Sequence, residues 1–345
     1  MIPRRLPLAV WCLVGLLFSS GLALALILTL PRSEPAGKGE EQDGNLQEDE
    51  DEPAGPPFFE DVTKASGVQW TCRNGEEFGH CAILEQLGGG VGLIDFDGDG
   101  LLDLFVTHLG NETHTLWRQG PVGQFRDRTQ ESRVVRTAWR GTGFGAVAAD
   151  FDRDGWPDIA YVNGRVHREK VLPEAKHLPA FWQPYAERNQ LLRNTGKGQF
   201  EDISAAQPVF CGQANVARGL AVGDFDNDGR PDLLVVSVGD RARLYRNVAP
   251  GGHWVGVRVT DPARGNRDLL GTVVRVTAGG RTWVQVAQSA HSYLSASDPR
   301  PLFGLGGATA YDRIEVTWPD GTRERWPGGR CDRYITVRRG GGTGQ

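Results

Sequence analysis

Nine residues recur three times in this chain, and they restrict its fold more than any other feature. Asp95-Phe96-Asp97-Gly98-Asp99-Gly100-Leu101-Leu102-Asp103 returns as Asp150-Phe151-Asp152-Arg153-Asp154-Gly155-Trp156-Pro157-Asp158 and as Asp224-Phe225-Asp226-Asn227-Asp228-Gly229-Arg230-Pro231-Asp232. Carboxylates hold positions 1, 3, 5 and 9, and glycine holds position 6. Such a turn repels itself at neutral pH unless a hard cation sits among the acids, and Ca²⁺ takes about 6–8 oxygen ligands. The spacing has a geometric reading. Side chains at positions 1, 3 and 5 aim into one concavity, and glycine at 6 supplies a turn with φ > 0. The backbone carbonyl of position 7 (Leu101, Trp156, Arg230) adds an oxygen, and the aspartate at 9 closes the cage from the next strand. Phenylalanine at position 2 is expected to point away, into the sheet. About three structural calcium ions are expected, one per loop. An EF-hand would need glutamate at position 12, where Val106, Tyr161 and Val235 stand.

The loops sit inside larger repeats. Each unit opens with an aromatic strand start, Phe59-Glu60-Asp61, Phe125-Arg126-Asp127 or Phe200-Glu201-Asp202. A glycine-rich apolar strand follows (88–94, 143–149, 217–223), then the acidic loop, then a second apolar strand (101–109, 156–164, 230–238). Gln190-Leu191-Leu192-Arg193-Asn194 and Arg243-Leu244-Tyr245-Arg246-Asn247 close two units, with Thr115-Leu116-Trp117-Arg118 as the looser first copy. Units of about four short strands cannot bury their faces alone, and read as propeller blades stacked on one another. Residues 168–187 are an insertion expected to run over the surface. High glycine and tryptophan with few Leu/Lys/Glu runs agree with an all-β chain.

The N-terminus reads as an address. Residues 6–30 are 25 consecutive uncharged, mostly apolar residues, enough to cross a hydrocarbon core of about 30 Å. Arg4 and Arg5 precede them, so residues 1–5 are expected in the cytoplasm, 6–30 as a transmembrane signal-anchor, and the rest outside the cell. The alternative is a cleaved signal peptide, for which Ala23-Leu24-Ala25 is an acceptable site, and a secreted product. Residues 31–58 form an acidic, Pro/Gly-bearing tether. Beyond it, from 59 to 345, 34 acids balance 34 bases. That neutrality gives no overall basic field for nucleic acid.

At the repeats the chain resembles the FG-GAP/VCBS family of integrin alpha-chain propellers and bacterial surface proteins, over residues 59–250. His253-Trp254-Val255-Gly256-Val257, Phe303-Gly304-Leu305-Gly306 and Trp318-Pro319-Asp320-Gly321 resemble the ASPIC/UnbV domain, which accompanies such repeats in the cartilage acidic protein family. Residues 251–339 are accordingly expected as a small β-sandwich of six or seven strands, with a tail at 340–345. Family propellers commonly have about seven blades. Three units therefore imply a hidden fourth blade, an edge covered by the sandwich, or association of chains into a homo-oligomer.

No G-x-S-x-G, H-E-x-x-H, C-x-x-C or P-loop is present. Outside the apolar stretch an even number of cysteines suits an oxidising compartment, with Cys72–Cys81 as a local bridge and Cys211–Cys331 as a staple between domains. The chain is not expected to be an enzyme. The leading expectation is a membrane-anchored, calcium-dependent binding or adhesion module for an extracellular protein or polysaccharide. A scaffold for envelope or matrix assembly is the alternative, and a polysaccharide-active enzyme the third.

Overall fold

A computed structural model of the chain describes residues 59–61, 91–120 and 124–344. The transmembrane and tether expectations and the Cys72–Cys81 bridge lie outside the described residues. Within them the protein is mostly β-sheet, and no helix is long and apolar enough to cross a membrane.

Three antiparallel four-stranded sheets form the blades. The first runs Val91–Ile94, Asp103–Val106, Thr115–Gln119, Phe125–Asp127. The second runs Gly143–Ala149, Asp158–Asn163, Gln190–Asn194, Phe200–Asp202. In the third, Ala217–Gly223, Asp232–Ser237 and Arg243–Asn247 are completed by Phe59–Asp61, which comes from the far N-terminal side.

This pairing corrects the phase of the repeat. The aromatic strand starts do not open units. Phe125–Asp127 and Phe200–Asp202 are the outer strands of the blades before them, and Phe59–Asp61 pairs antiparallel with Tyr245–Asn247 to finish the last. A cyclic repeat has no phase under self-comparison. Hydrogen bonding sets it: Thr195 N donates to Gln199 O, making a tight turn from Asn194 into Phe200, whereas a longer stretch with two short helical turns and the strand Ala214–Asn215 leads from Asp202 to Ala217.

Blades join by one rule. One face of blade 1 (Ile94, Phe96, Phe105, Leu116) packs on the facing side of blade 2 (Ala146, Ile159, Tyr161, Leu192, Phe200). The other face of blade 2 (Val147, Phe151, Ala160, Val162, Leu191) packs on blade 3 (Leu220, Leu233, Val235, Tyr245). Alternation along each strand supplies both faces. Side-chain amides lock the joints: Asn194 Nδ2 donates to Phe96 O at 2.9 Å, and Asn247 Nδ2 to Phe151 O at 2.8 Å. No closed propeller is formed among the described residues, and no fourth blade is found there. The 168–187 insertion is tied down rather than loose, with Trp182 1% exposed in a small core with Ala175, Leu178, Val216 and Val238.

The C-terminal region is a two-sheet sandwich. His253–Asp261 pairs with Leu302–Gly306, with Arg267–Asp268 and, in parallel, with Arg333–Arg338. The second sheet is ordered Arg281–Ala287, Thr272–Ala278, Ala310–Thr317, Arg323–Arg330, Thr343–Gly344. Val255, Val257, Val274, Val276, Ile314, Val316 and Trp318 fill the space between them. The expected Cys211–Cys331 staple is absent. Both thiols are free and buried in different cores, Cys211 between blades 2 and 3 and Cys331 in the sandwich, its Sγ 3.1 Å from Ala308 O.

Candidate metal centres

Each acidic loop joins the inner strand of its blade to the second, so pairing brings position 9 back opposite the start of the loop: Ile94 with Asp103, Ala149 with Asp158, Gly223 with Asp232. The turn between is held by carboxylates accepting backbone amides. Position 1 accepts from the glycine at 6, with Asp95 taking Gly100 N at 3.0 Å, Asp150 taking Gly155 N at 2.8 Å and Asp224 taking Gly229 N at 2.8 Å. Position 5 accepts from position 7, with Asp99, Asp154 and Asp228 taking the amides of Leu101, Trp156 and Arg230. The glycines at 6 have φ of 85°, 95° and 84°. Position 4 is also left-handed, Gly98 at 73°, Arg153 at 56° and Asn227 at 60°, and in the third copy asparagine suits that conformation.

Position 9 does two jobs. Asp103, Asp158 and Asp232 are buried, and in each one oxygen accepts the amide of the loop phenylalanine while the other accepts an amide at the end of the third strand: Gln119 at 2.7 Å, Asn194 at 2.8 Å, Asn247 at 2.7 Å. This aspartate pins the loop to the blade whatever else it binds.

Burial, reinforced by neighbouring carboxylates, raises these acids. Asp103 and Asp232 are pushed up to about 7 and Asp154 to about 6, and Asp150 and Asp158 stand well above the ordinary range. Asp95, Asp152 and Asp224 are raised, burial again the main cause. Carboxylates this reluctant to ionise are what a divalent cation would relieve.

Oxygens of Asp95, Asp97 and Asp99 lie within 4.8 Å of one another, as do those of Asp150, Asp152 and Asp158, and of Asp224, Asp226 and Asp232. In the first loop position 5 joins positions 1 and 3, and Asp103 stays outside. In the other two position 9 joins, and Asp154 and Asp228 stay outside. Asp95 Oδ1 is buried without a hydrogen-bond partner, an open acceptor in an all-oxygen, carboxylate donor set that suits Ca²⁺.

Two family models match this chain: the FG-GAP-like repeat over residues 95–161 and 180–235, and ASPIC and UnbV over residues 262–344. The first of these spans all three loops. The chain is an FG-GAP-like repeat protein with a C-terminal ASPIC/UnbV domain. It is similar to cartilage acidic protein 1 of Mus musculus (29% identical, 68% of this chain and 34% of the relative), of Xenopus tropicalis (29%, 77% and 37%) and of Homo sapiens (28%, 68% and 33%). It thus spans about a third of the length of these curated relatives. A solved Agrocybe aegerita lectin that recognises non-reducing terminal N-acetylglucosamine aligns over 70% of this chain and 79% of its own, at 13% identity and a TM-score of 0.19. That score is too low to bear on fold or ligand.

The ASPIC/UnbV domain rests on the second and third loops. Trp283 Nε1 donates to Gly155 O at 2.8 Å, and Gly306 N donates to Arg153 O. The Arg281 guanidinium stacks 3.6 Å over the Trp156 ring, within the field of Asp150, Asp154 and Asp95. At the third loop Tyr334 OH donates to Asp224 Oδ2 at 2.8 Å, while Arg300 bridges Asp224 O and Asn227 Oδ1. Gly304 lets its strand lie against the second loop, since a Cβ there would fall on Asp150 Oδ2 and 2.6 Å from Arg153 Cα. Trp254 and Trp318 are buried, and Trp326 packs against Trp318.

Two arginines belong to the sites although the ligand pattern omits them. Arg118 contacts Asp97 at 2.5 Å and Asp99 at 2.9 Å, and Arg246 contacts Asp226 at 3.0 Å and Asp228 at 3.6 Å. Both occupy the same register of the third strand. The blade 2 equivalent, Arg193, turns instead to Glu201 at 2.5 Å. The recurring Arg in the closing segments was the available signal. Phe96 and Phe151 are buried as expected, but Phe225 is 48% exposed because no blade follows it among the described residues.

Proposed function

We propose that this chain is an extracytoplasmic calcium-binding module, anchored through residues 6–30, whose three loops each hold one Ca²⁺ and so stiffen a surface that binds an extracellular protein or polysaccharide. The observation that carries the reading is the threefold recurrence of the acid group, at the same place in three successive blades, with mutually reachable oxygens. Asp95, Asp97 and Asp99, then Asp150, Asp152 and Asp158, then Asp224, Asp226 and Asp232 would supply the charged ligands. Calcium would offset the mutual repulsion of the carboxylates that each turn gathers. Its relatives carry the name cartilage acidic protein, which agrees with a place outside the cell. Proton-transfer chemistry is disfavoured, because carboxylates engaged by a divalent cation donate protons poorly.

Thermal unfolding of the full chain in detergent, with calcium, with magnesium and with chelator, tests this. Each site filled at 100-fold its Kd adds about 2.7 kcal/mol, so calcium should raise Tm by roughly 5–10 °C per site. Magnesium, which holds to near-octahedral geometry and keeps its waters, should do much less. Equal Tm in calcium and chelator would remove the proposal.

A further inference from the structure

Among the described residues, the stacking rule that joins blade 1 to 2 and blade 2 to 3 leaves two faces over. On blade 3 the face equivalent to Val147, Phe151 and Ala160 is Ala221, Phe225 and Leu234, and together with Asp298 and Arg300 at its rim it lines an open cleft of ≈ 300 Å³. On blade 1 the face equivalent to Ala148, Ile159, Tyr161 and Phe200 is Leu93, Leu104, Val106 and Phe125. Leu93 is 45% exposed, and Phe125 is 40% exposed against 3% for Phe200, its counterpart inside the stack. These are blade-packing surfaces of the two kinds that meet at the internal joints.

The polar lock is duplicated as well. Inside the chain, an Asn side-chain amide at the end of the third strand donates to the carbonyl of the preceding blade's loop phenylalanine. Phe225 carries the corresponding carbonyl. Gln119, which shares the register of Asn194 and Asn247 through its backbone bond to Asp103, carries the corresponding side-chain amide.

We propose that a second copy of this chain supplies the missing neighbour, blade 1 of one copy stacking on blade 3 of the other, twice, so that two open sets of three blades close as one ring of six. The joint is head-to-tail, and a head-to-tail contact that closes after two steps yields a finite assembly with no blade face left over. Closure also explains why natural selection could retain apolar side chains on two solvent-facing sheets, which would otherwise be an aggregation hazard. The occupant is a copy of this chain because the seat repeats, position for position and with apolar side chains throughout, a joint the chain already makes with itself. This inference does not depend on calcium.

The test is the mass of the full chain in mild detergent by sedimentation velocity and native mass spectrometry, for the wild type, Phe225→Asp and Leu93→Asp. Both substitutions are at exposed positions, and unchanged far-UV circular dichroism and Tm in dilute solution will show that each variant is folded. The wild type is expected at twice the chain mass and each variant at the chain mass. An equimolar mixture of the two variants is expected to recover heterodimers, because one of the two joints in a mixed ring is wholly wild type. A monomeric wild type overturns the proposal, as the face is then covered within the chain or by something else. Variants that remain dimeric overturn it too, since the contact would lie elsewhere, in the apolar N-terminal stretch for example. Failure of the mixture to reassociate would overturn the head-to-tail geometry.

Discussion

Replacing Gly304 by alanine should separate the ASPIC/UnbV domain from the second acidic loop, and the structure sets the size of the effect. The new Cβ would lie 2.6 Å from Arg153 Cα and would also meet Asp150 Oδ2. Carbon atoms are comfortable at about 3.5–4.0 Å, so one backbone must retreat by roughly 1 Å. Neither is a flexible side chain. Leu302–Gly306 is paired to His253–Asp261, and the loop is held by its own carboxylates. Overpacking costs about 1–3 kcal/mol, and a backbone-to-backbone clash belongs at the upper end. At roughly 2–4 °C per kcal/mol the Tm should fall by about 6–12 °C. Gly307→Ala is the control, because a Cβ there has no atom within 4 Å and should change stability by no more than about 0.5 kcal/mol. Differential scanning calorimetry of both variants in calcium decides. If Gly304→Ala melts within 2 °C of Gly307→Ala, taking about 2 °C as the noise of the comparison, the domain does not rest on the loop as described.

Further consequences follow from the acids. Asp158→Ala removes the acceptors of the Phe151 and Asn194 amides, at about 1–3 kcal/mol for each amide left bare, so it should destabilise even in chelator, whereas Asp152→Asn should matter only in calcium; denaturant titration of both in the two buffers separates the roles. Asp103 and Asp232 are raised from 3.8 to about 7 in the folded chain, so between those values the folded state holds more protons than the unfolded one, and the calcium-free chain should lose stability as pH rises from about 4 to 7. Because calcium at the third site competes with the proton on Asp232, the Tm increment produced by calcium should grow over the same window; an increment independent of pH would contradict the carboxylate assignment.

Much of this molecule was legible in its sequence because the loop is a local device. Asp at 1, 3, 5 and 9 with Gly at 6 encodes its own turn through short-range amide-to-carboxylate bonds, so the three loops, their flanking strands and the buried Phe96 and Phe151 follow from spacing alone. What depended on distant partners was hidden. Nothing near Phe59-Glu60-Asp61 says that it will pair with Tyr245–Asn247, because outer strands of all blades share one pattern and the pairing is decided by which edge is vacant. Gly304 and Gly306 were visible as motif residues of the C-terminal domain and Tyr334 carried no signal, yet the role of these residues and of Trp283 lies in contacts with loops about 110 to 150 residues earlier. Cys211 and Cys331 illustrate the reverse error. An even cysteine count suggested a bridge, but each thiol is absorbed by its own core.

The claim beneath all of this is that the acid groups are cation sites. A high-resolution diffraction map from crystals of the protein grown in excess calcium, read with anomalous differences, measures it most directly. The account predicts three anomalous peaks, each with carboxylate oxygens at about 2.3–2.6 Å, one beside Asp95 and Asp97, one beside Asp150 and Asp152, and one beside Asp224 and Asp226. Water at all three positions, with the aspartates protonated or turned to Arg118 and Arg246, would contradict it.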